Sequence, residues 1–245
     1  MRDRLVVEAP LELRIAGVST LVLMRTPGHD RELARGLLFA DGVIDSADEL
    51  ADMHEPTSVQ PGEEGNILEL GLPADTRLPE RNTLSNASCG VCGKASIADL
   101  EVRARPIMSD LQVSAQVVAR LPERLRVAQA TFDVTGGLHA AGAFADDGQL
   151  LAIREDVGRH NAMDKLVGWA LAERRVPLSQ SLVCVSGRLS FEIVQKAIVA
   201  GIPMLVAVSA PSSLAVDLAE RFRVTLCGFT RDRRFNVYSH GSRIP

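Results

Sequence analysis

The chain has 245 residues, enough for one large domain or two small ones around a real hydrophobic core. Apolar residues make up 46% and no apolar run reaches membrane-spanning length, which excludes wholesale disorder and a transmembrane helix. A net charge of −4 argues against a general nucleic-acid binder, and four cysteines do not suggest a disulfide framework.

The first ten residues, MRDRLVVEAP, carry charges and Pro10 where a secretory segment needs an apolar run, so the chain reads as cytoplasmic. LVVEAPLELRIAGVSTLVLMRTPG alternates apolar and polar residues and turns at Ala16-Gly17, which predicts a hairpin. HDRELARGLLFADG predicts a short amphipathic helix, with Asp30 near its start and Gly42 past its end. GNILELGLP reads as another strand. From about residue 73 to 96 the chain is rich in Pro, Asn, Ser and Gly and lacks periodicity, so it reads as a loop.

After RPIMSD the character changes. Residues 112–131 predict helix interrupted near Pro122. GLHAAGAF and LLAIRE, joined at Asp147-Gly148, predict a second hairpin. VGRHNAMDKLVGWALAE has helical apolar spacing. Strands at 182–186, 204–208 and 224–228 then alternate with helices at 190–200 and 212–221, and 235–239 closes as a strand. This alternation predicts an α/β sandwich with parallel pairs. The organisation is a smaller β-rich N-terminal lobe over residues 1–105 and an α/β lobe over 106–245.

NASCGVCGKAS places Cys89 and Cys92 in the loop of the first lobe, flanked by Gly90 and Gly93. A structural zinc site wants four ligands, and no histidine stands at finger-like spacing from this pair. A thioredoxin-like disulfide wants a helix start behind a strand, which the glycines do not favour. A mobile persulfide carrier suits a glycine-flanked loop, because its thiol must reach a donor and then an acceptor. The pair alone leaves these readings open. Cys184 and Cys227 sit in apolar strand-like runs and read as buried and inert.

In the second lobe, Ser186, Gly187 and Arg188 link a strand to a helix, and Ser209, Pro211, Ser212 and Ser213 repeat that grammar. Serine caps explain either stretch alone. Together with the arginines of GFTRDRRFNVYSH they point to a phosphate-bearing ligand. From Arg221 onward the only acid is Asp232, against six arginines. In REDVGRHNAMDK, Asp156 reads as a helix cap and Glu155 with Arg159 as a local ion pair. The Gly136-Gly137 pair would let a ligand approach the backbone.

Taken in order, CGVCG, TGGLHAAGAF, REDVGRHNAMDKLVG, SGRLSFEIVQKA, SAPSSLAVDLAE and TLCGFTRDRRFNVYSH resemble the formate dehydrogenase accessory sulfurtransferase family, FdhD. The resemblance implies a second lobe with the cytidine-deaminase-like α/β sandwich and a homodimer. It implies that Cys89 carries a persulfide received from a cysteine desulfurase, with Cys92 as its partner. The sulfur goes to the molybdenum bis(molybdopterin guanine dinucleotide) cofactor, bound as a substrate, before that cofactor enters apo formate dehydrogenase. The family's cofactor-binding stretch falls on Phe229, Thr230, Arg231, Asp232, Arg233 and Arg234. Ser186, Gly187, Arg188 and Ser212 are added from helix-start chemistry, and no tightly bound metal, membrane or nucleic-acid partner is expected. The zinc signature of nucleobase deaminases, H-x-E followed by P-C-x-x-C, is missing, so the fold is expected without that reaction. The competing reading is a chaperone that binds the cofactor and docks the apoenzyme without moving sulfur.

Overall fold

In the computed structural model, which describes residues 4–57, 60–78, 104–231 and 233–245, the alternating pattern of the first segment forms the expected hairpin. Strand β1 (Ala9–Ile15) pairs antiparallel with β2 (Val18–Arg25). Ala16 and Gly17 make the turn with φ of 52° and 75°, the left-handed pair that a tight hairpin requires. β3 (Met53–His54) and β4 (Ile67–Leu70) complete a four-stranded sheet in the order β2-β1-β4-β3. Helix α1 (Asp30–Asp41) ends at Gly42, whose φ of 75° and N–H to Phe39 O (3.1 Å) stop it.

The second half builds a six-stranded sheet. Helices α2 (Ala115–Ala128) and α3 (Ala130–Thr135) precede the hairpin β5 (His139–Phe144) and β6 (Leu150–Asp156). Then follow α4 (Arg159–Ala172), β7 (Leu182–Val185), α5 (Phe191–Val199), β8 (Met204–Ala207), α6 (Ser213–Arg221), β9 (Thr225–Arg231) and β10 (Arg234–Ser239). The sheet order is β10-β9-β8-β7-β5-β6, with β7, β8 and β9 parallel and the outer pairs antiparallel. Along β7, Val183 and Val185 join a large core cluster, whereas Leu182 and Cys184 join a smaller one. The strand is apolar on both faces because helices cover both. The large cluster runs from Leu13 of β1 through Leu37 of α1 and Leu166 of α4 to Leu205 of β8, so both sheets share it. Among the described residues, no helix is long and apolar enough to cross a membrane.

Two local expectations change. Helix α2 runs through Pro122 and breaks instead at Gln129. The i, i+3, i+7 face of Val118, Leu121 and Leu125 is fully buried, and that burial outweighs the roughly 3 kcal/mol an internal proline costs. Glu155 lies within strand β6, next to its last residue, rather than starting a helix, and its carboxylate accepts the N–H groups of Thr131 (3.1 Å) and Phe132 (3.0 Å) at the start of α3.

Asp156 does more than cap. One oxygen accepts the Gly158 N–H (2.8 Å), and the other accepts the Thr26 N–H (3.1 Å) and faces Lys165 Nζ at 2.7 Å. Lys165 donates in turn to Thr26 O (2.8 Å), and Asn161 Nδ2 donates to Met24 O (2.8 Å). Asp156 and Lys165 are 0% and 1% exposed, so this ion pair fastens the β2–α1 connection to the end of β6 from within. A second tie joins Arg154 to Glu32, and α1 lies so close to α4 that a Cβ on Gly168 would meet Glu32 O at 1.8 Å.

Removing one partner of a buried pair strands the other charge. Lys165→Met is therefore expected to lower stability by roughly 3–5 kcal/mol in urea unfolding. A loss below about 1 kcal/mol, the scale of an exposed pair, would contradict this role.

Candidate functional site

The two strand-to-helix loops singled out in the sequence lie side by side because their backbones are joined. Leu189 and Pro211 form a parallel bridge, the Leu189 N–H donates to Ala210 O (3.2 Å), and the Ser212 N–H donates to Leu189 O (3.0 Å). Both follow the carboxyl ends of parallel strands, the edge at which α/β sheets collect ligands.

A cavity of about 580 Å³ opens at this edge. Strand ends supply one part of its lining: Leu138 and His139 where β5 begins, Ser186 after β7, Val208 after β8, and Thr230 and Arg231 closing β9. Leu125 and Arg126 of α2, Gln129 at the junction and Phe132 of α3 supply the other, with Gly136 and Gly137 at the return to β5. The Arg126 guanidinium lies 4.5 Å from the centre of the Phe132 ring and pairs with Asp133 at 2.5 Å. Two polar atoms of the lining residues, Gln129 Nε2 and Thr230 Oγ1, are buried with no hydrogen-bond partner among the described residues.

His139 stands across β5 and β6 from Asp156, so the buried ion pair also positions this edge. Burial, helped by the charges of Arg159 and His160, pushes the His139 pKa below its ordinary value, against an opposing pull from Asp156. Next to it, His160 Nε2 contacts Glu192 Oε2 (2.8 Å) and Ser190 Oγ (3.3 Å). The hydrogen bond from His160 holds the Glu192 carboxyl below the usual carboxylate range, although burial opposes it.

The cavity brings together Ser186, Thr230 and Arg231 of the residues singled out in the sequence. Ser186 Oγ already accepts the Ala140 N–H (2.9 Å), and a Cβ on Gly187 would lie 3.5 Å from His139 Nδ1. Arg188 is exposed and does not line the cavity. The Ser212 hydroxyl caps α6 by accepting the Ala215 N–H (3.2 Å). Phe229, half-exposed at φ 52°, and the exposed Arg233 and Arg234 belong to the β9–β10 hairpin outside the lining. Cys89, Cys92 and Asp232 lie outside the described residues.

The sequence pattern does not mark Gln129, Phe132 or His139, all in the cavity lining, as cofactor-binding residues. Only the neighbouring Gly136-Gly137 pair hinted at them. Cys184 and Cys227 are buried, and burial pushes the Cys227 thiol up to about 12 and the Cys184 thiol higher still. Neither supplies a thiolate near neutral pH. Among the described residues, no cluster of three or more His, Cys, Asp or Glu side chains could hold a metal. A second cavity, of about 440 Å³, lies beside Arg31 and Arg35 of α1, where Asp30 pairs with Arg25 and Glu32 with Arg154.

The FdhD/NarQ family model matches residues 6–245. A Streptomyces avermitilis protein named "Sulfur carrier protein FdhD" is 48% identical over 251 residues, covering 99% of this chain and 89% of its own. Proteins of the same name from Mycolicibacterium paratuberculosis and Saccharolobus solfataricus are 47% and 42% identical, each across 99% of this chain and 92% and 91% of their own. The crystal structure of a candidate formate dehydrogenase accessory protein from Desulfotalea psychrophila superposes with a TM-score of 0.77. It covers all of this chain and 92% of that one at 24% identity, so the two share their mixed α/β fold.

A histidine whose pKa is lowered by folding stabilises the protein when neutral. That contribution is present above its unfolded pKa of about 6.5 and is lost as pH falls from there toward the lower folded value. Thermal unfolding between pH 7.5 and 5 is therefore expected to show a smaller acid loss for His139→Gln than for wild type. An equal loss in both would contradict a His139 pKa lowered by folding.

Proposed function

The chain belongs to the FdhD/NarQ family, and on that premise we propose that it is a sulfur carrier required for formate dehydrogenase activity. The observation that carries this reading is 42–48% identity, across 99% of the chain, to proteins named as sulfur carriers.

In this proposal the Cys89 thiolate attacks the outer sulfur of a cysteine desulfurase persulfide. The donor's thiolate leaves, and Cys89 holds the persulfide with no net oxidation. Cys89 then delivers that sulfur to the molybdenum bis(guanine dinucleotide) cofactor, which is bound as a substrate before it enters apo formate dehydrogenase. Attack of the Cys92 thiolate on the inner sulfur releases sulfide and leaves a Cys89–Cys92 disulfide. A cellular thiol reductant reopens it for the next cycle. The unreactive, buried Cys184 and Cys227 support assigning the chemistry to this pair, the only other cysteines in the chain.

The cavity at the sheet edge takes a guanine nucleotide of the cargo. Leu125, Leu138 and Val208 line it with apolar surface suited to the faces of a base. Arg126 and Arg231 supply planar cationic donors for phosphate at its lining, and Arg233 and Arg234 extend that charge along the β9–β10 hairpin. The working unit is a homodimer.

Intact-protein mass spectrometry after incubation with a cysteine desulfurase and cysteine, without reductant, tests the sulfur step. Wild type and Cys92→Ala are expected to gain the mass of at least one sulfur atom, and Cys89→Ala none. No added sulfur on wild type, beside a competent desulfurase control, would turn the assignment to a cofactor-binding chaperone.

A further inference from the structure

We infer that a third cavity, at the amino edge of the six-stranded sheet, is an anion site that takes a phosphate group. It holds about 380 Å³ and lies at the opposite end of β9 from the cavity described above. The seven residues of that strand put roughly 20 Å between them. The inference stands apart from the sulfur-carrier reading and does not depend on it.

Three connections meet at this edge. The turn from α6 into β9 brings Arg223, the chain leaving β10 brings His240, Ser242 and Arg243, and the segment before α2 brings Ser109 and Gln112. Each of these side chains can donate a hydrogen bond, and the lining contains no aspartate or glutamate.

The charges there are not balanced. Arg243 is 7% exposed, and a buried charge ordinarily faces a counter-charge. Here Nη1 donates to Arg223 O (2.8 Å) and Thr225 Oγ1 (3.1 Å), and Nη2 to Ile107 O (3.3 Å), so neutral oxygens hold the guanidinium. Arg223 is exposed, and its Nη1 donates to the Met108 thioether (3.2 Å), a weak acceptor. Among the described residues, no carboxylate pairs with either arginine. Burial, and then the charge of Arg223, push the Arg243 pKa below its ordinary value, as two cations without an anion between them should. The end of α6 offers only about half a negative charge. Glu220, the nearest acid, faces His240, with Nε2 to Oε2 at 3.2 Å.

Backbone conformation is a separate sign. Arg223 (φ 59°) and His240 (φ 42°) both occupy the left-handed region, where glycine or asparagine is the usual choice. Side chains kept there against that preference gather at functional sites. Helix capping accounts for His240 reaching Glu220 O (2.8 Å) and for Arg243 reaching Arg223 O. It does not account for the Arg223 guanidinium, which bonds no carbonyl among the described residues. That accessible cation, backed by the buried charge of Arg243, is matched to an oxyanion. A guanidinium fork fits phosphate oxygens, and the exposed Gln112 and Ser242 add donors around it.

Calorimetric titration of the full chain with inorganic pyrophosphate tests this, using wild type, Arg223→Gly and Arg35→Gln. Wild type is expected to bind, and more weakly as salt is raised. Arg223→Gly is expected to lose about tenfold or more in affinity, the scale of a hydrogen bond to a charged group. Its thermal midpoint is expected to hold or rise, since glycine accepts the left-handed backbone. Arg35→Gln, in the cavity beside α1, is expected to bind as wild type does. No binding by wild type at millimolar pyrophosphate, or unchanged affinity in Arg223→Gly, would overturn the assignment. The same loss in Arg35→Gln would reduce the effect to general charge and overturn it too. Weaker binding with a falling midpoint in Arg223→Gly would make Arg223 structural, with the same result.

Discussion

The buried Asp156–Lys165 pair is the contact on which the rest of the arrangement depends. Two charges withdrawn from water are tolerated only when their remaining lone pairs and protons are met, and here Thr26 meets them with its backbone N–H and carbonyl. The connection between β2 and α1 is thereby held against the last residue of β6. Asp156 stands opposite His139, so the same contact fixes where β5 begins, and His139 lines the cavity. Glu155, one residue earlier, holds the start of α3 by two backbone N–H groups, and α3 carries Phe132 into the lining. One polar turn thus positions both a strand end and a helix of the site.

The sheet edge and the cavity follow from parallel strands that are apolar on both faces. Such strands need helices on each side, and the crossovers between them put every strand-to-helix loop at one edge. The bridge between Leu189 and Pro211 draws two of those loops together, and the β9–β10 hairpin brings three arginines beside them. The lining is mixed in chemistry: apolar residues from α2 and from the strand ends, and cations at Arg126 and Arg231. A nucleotide has this same division between base faces and phosphates.

Much of the fold was legible because periodicity reports it directly. The two hairpins with their Ala16-Gly17 and Asp147-Gly148 turns, and the alternation from β7 to β9, stand where the apolar spacing put them. What was not legible depends on distant partners. Asp156 and Thr26 are 130 positions apart, and a bond to a backbone group leaves no mark on residue type. Pro122 argued for a break that burial of Val118, Leu121 and Leu125 overrode. Gln129 reads as an ordinary polar helix residue until the cavity surrounds it. Arg231 and Thr230 were visible through family resemblance, whereas Ser212 illustrates the other side of helix-start chemistry, a hydroxyl employed by its own helix.

On the proposed function, cargo enters between α2, α3 and the end of β9. Hydrogen–deuterium exchange of the full chain with and without GDP tests it most directly, because bound nucleotide slows exchange where it packs. Slower exchange at residues 124–139 and 226–231 is the result expected here. Protection confined to the cavity beside Arg31 and Arg35, or exchange unchanged at saturating GDP, would contradict it.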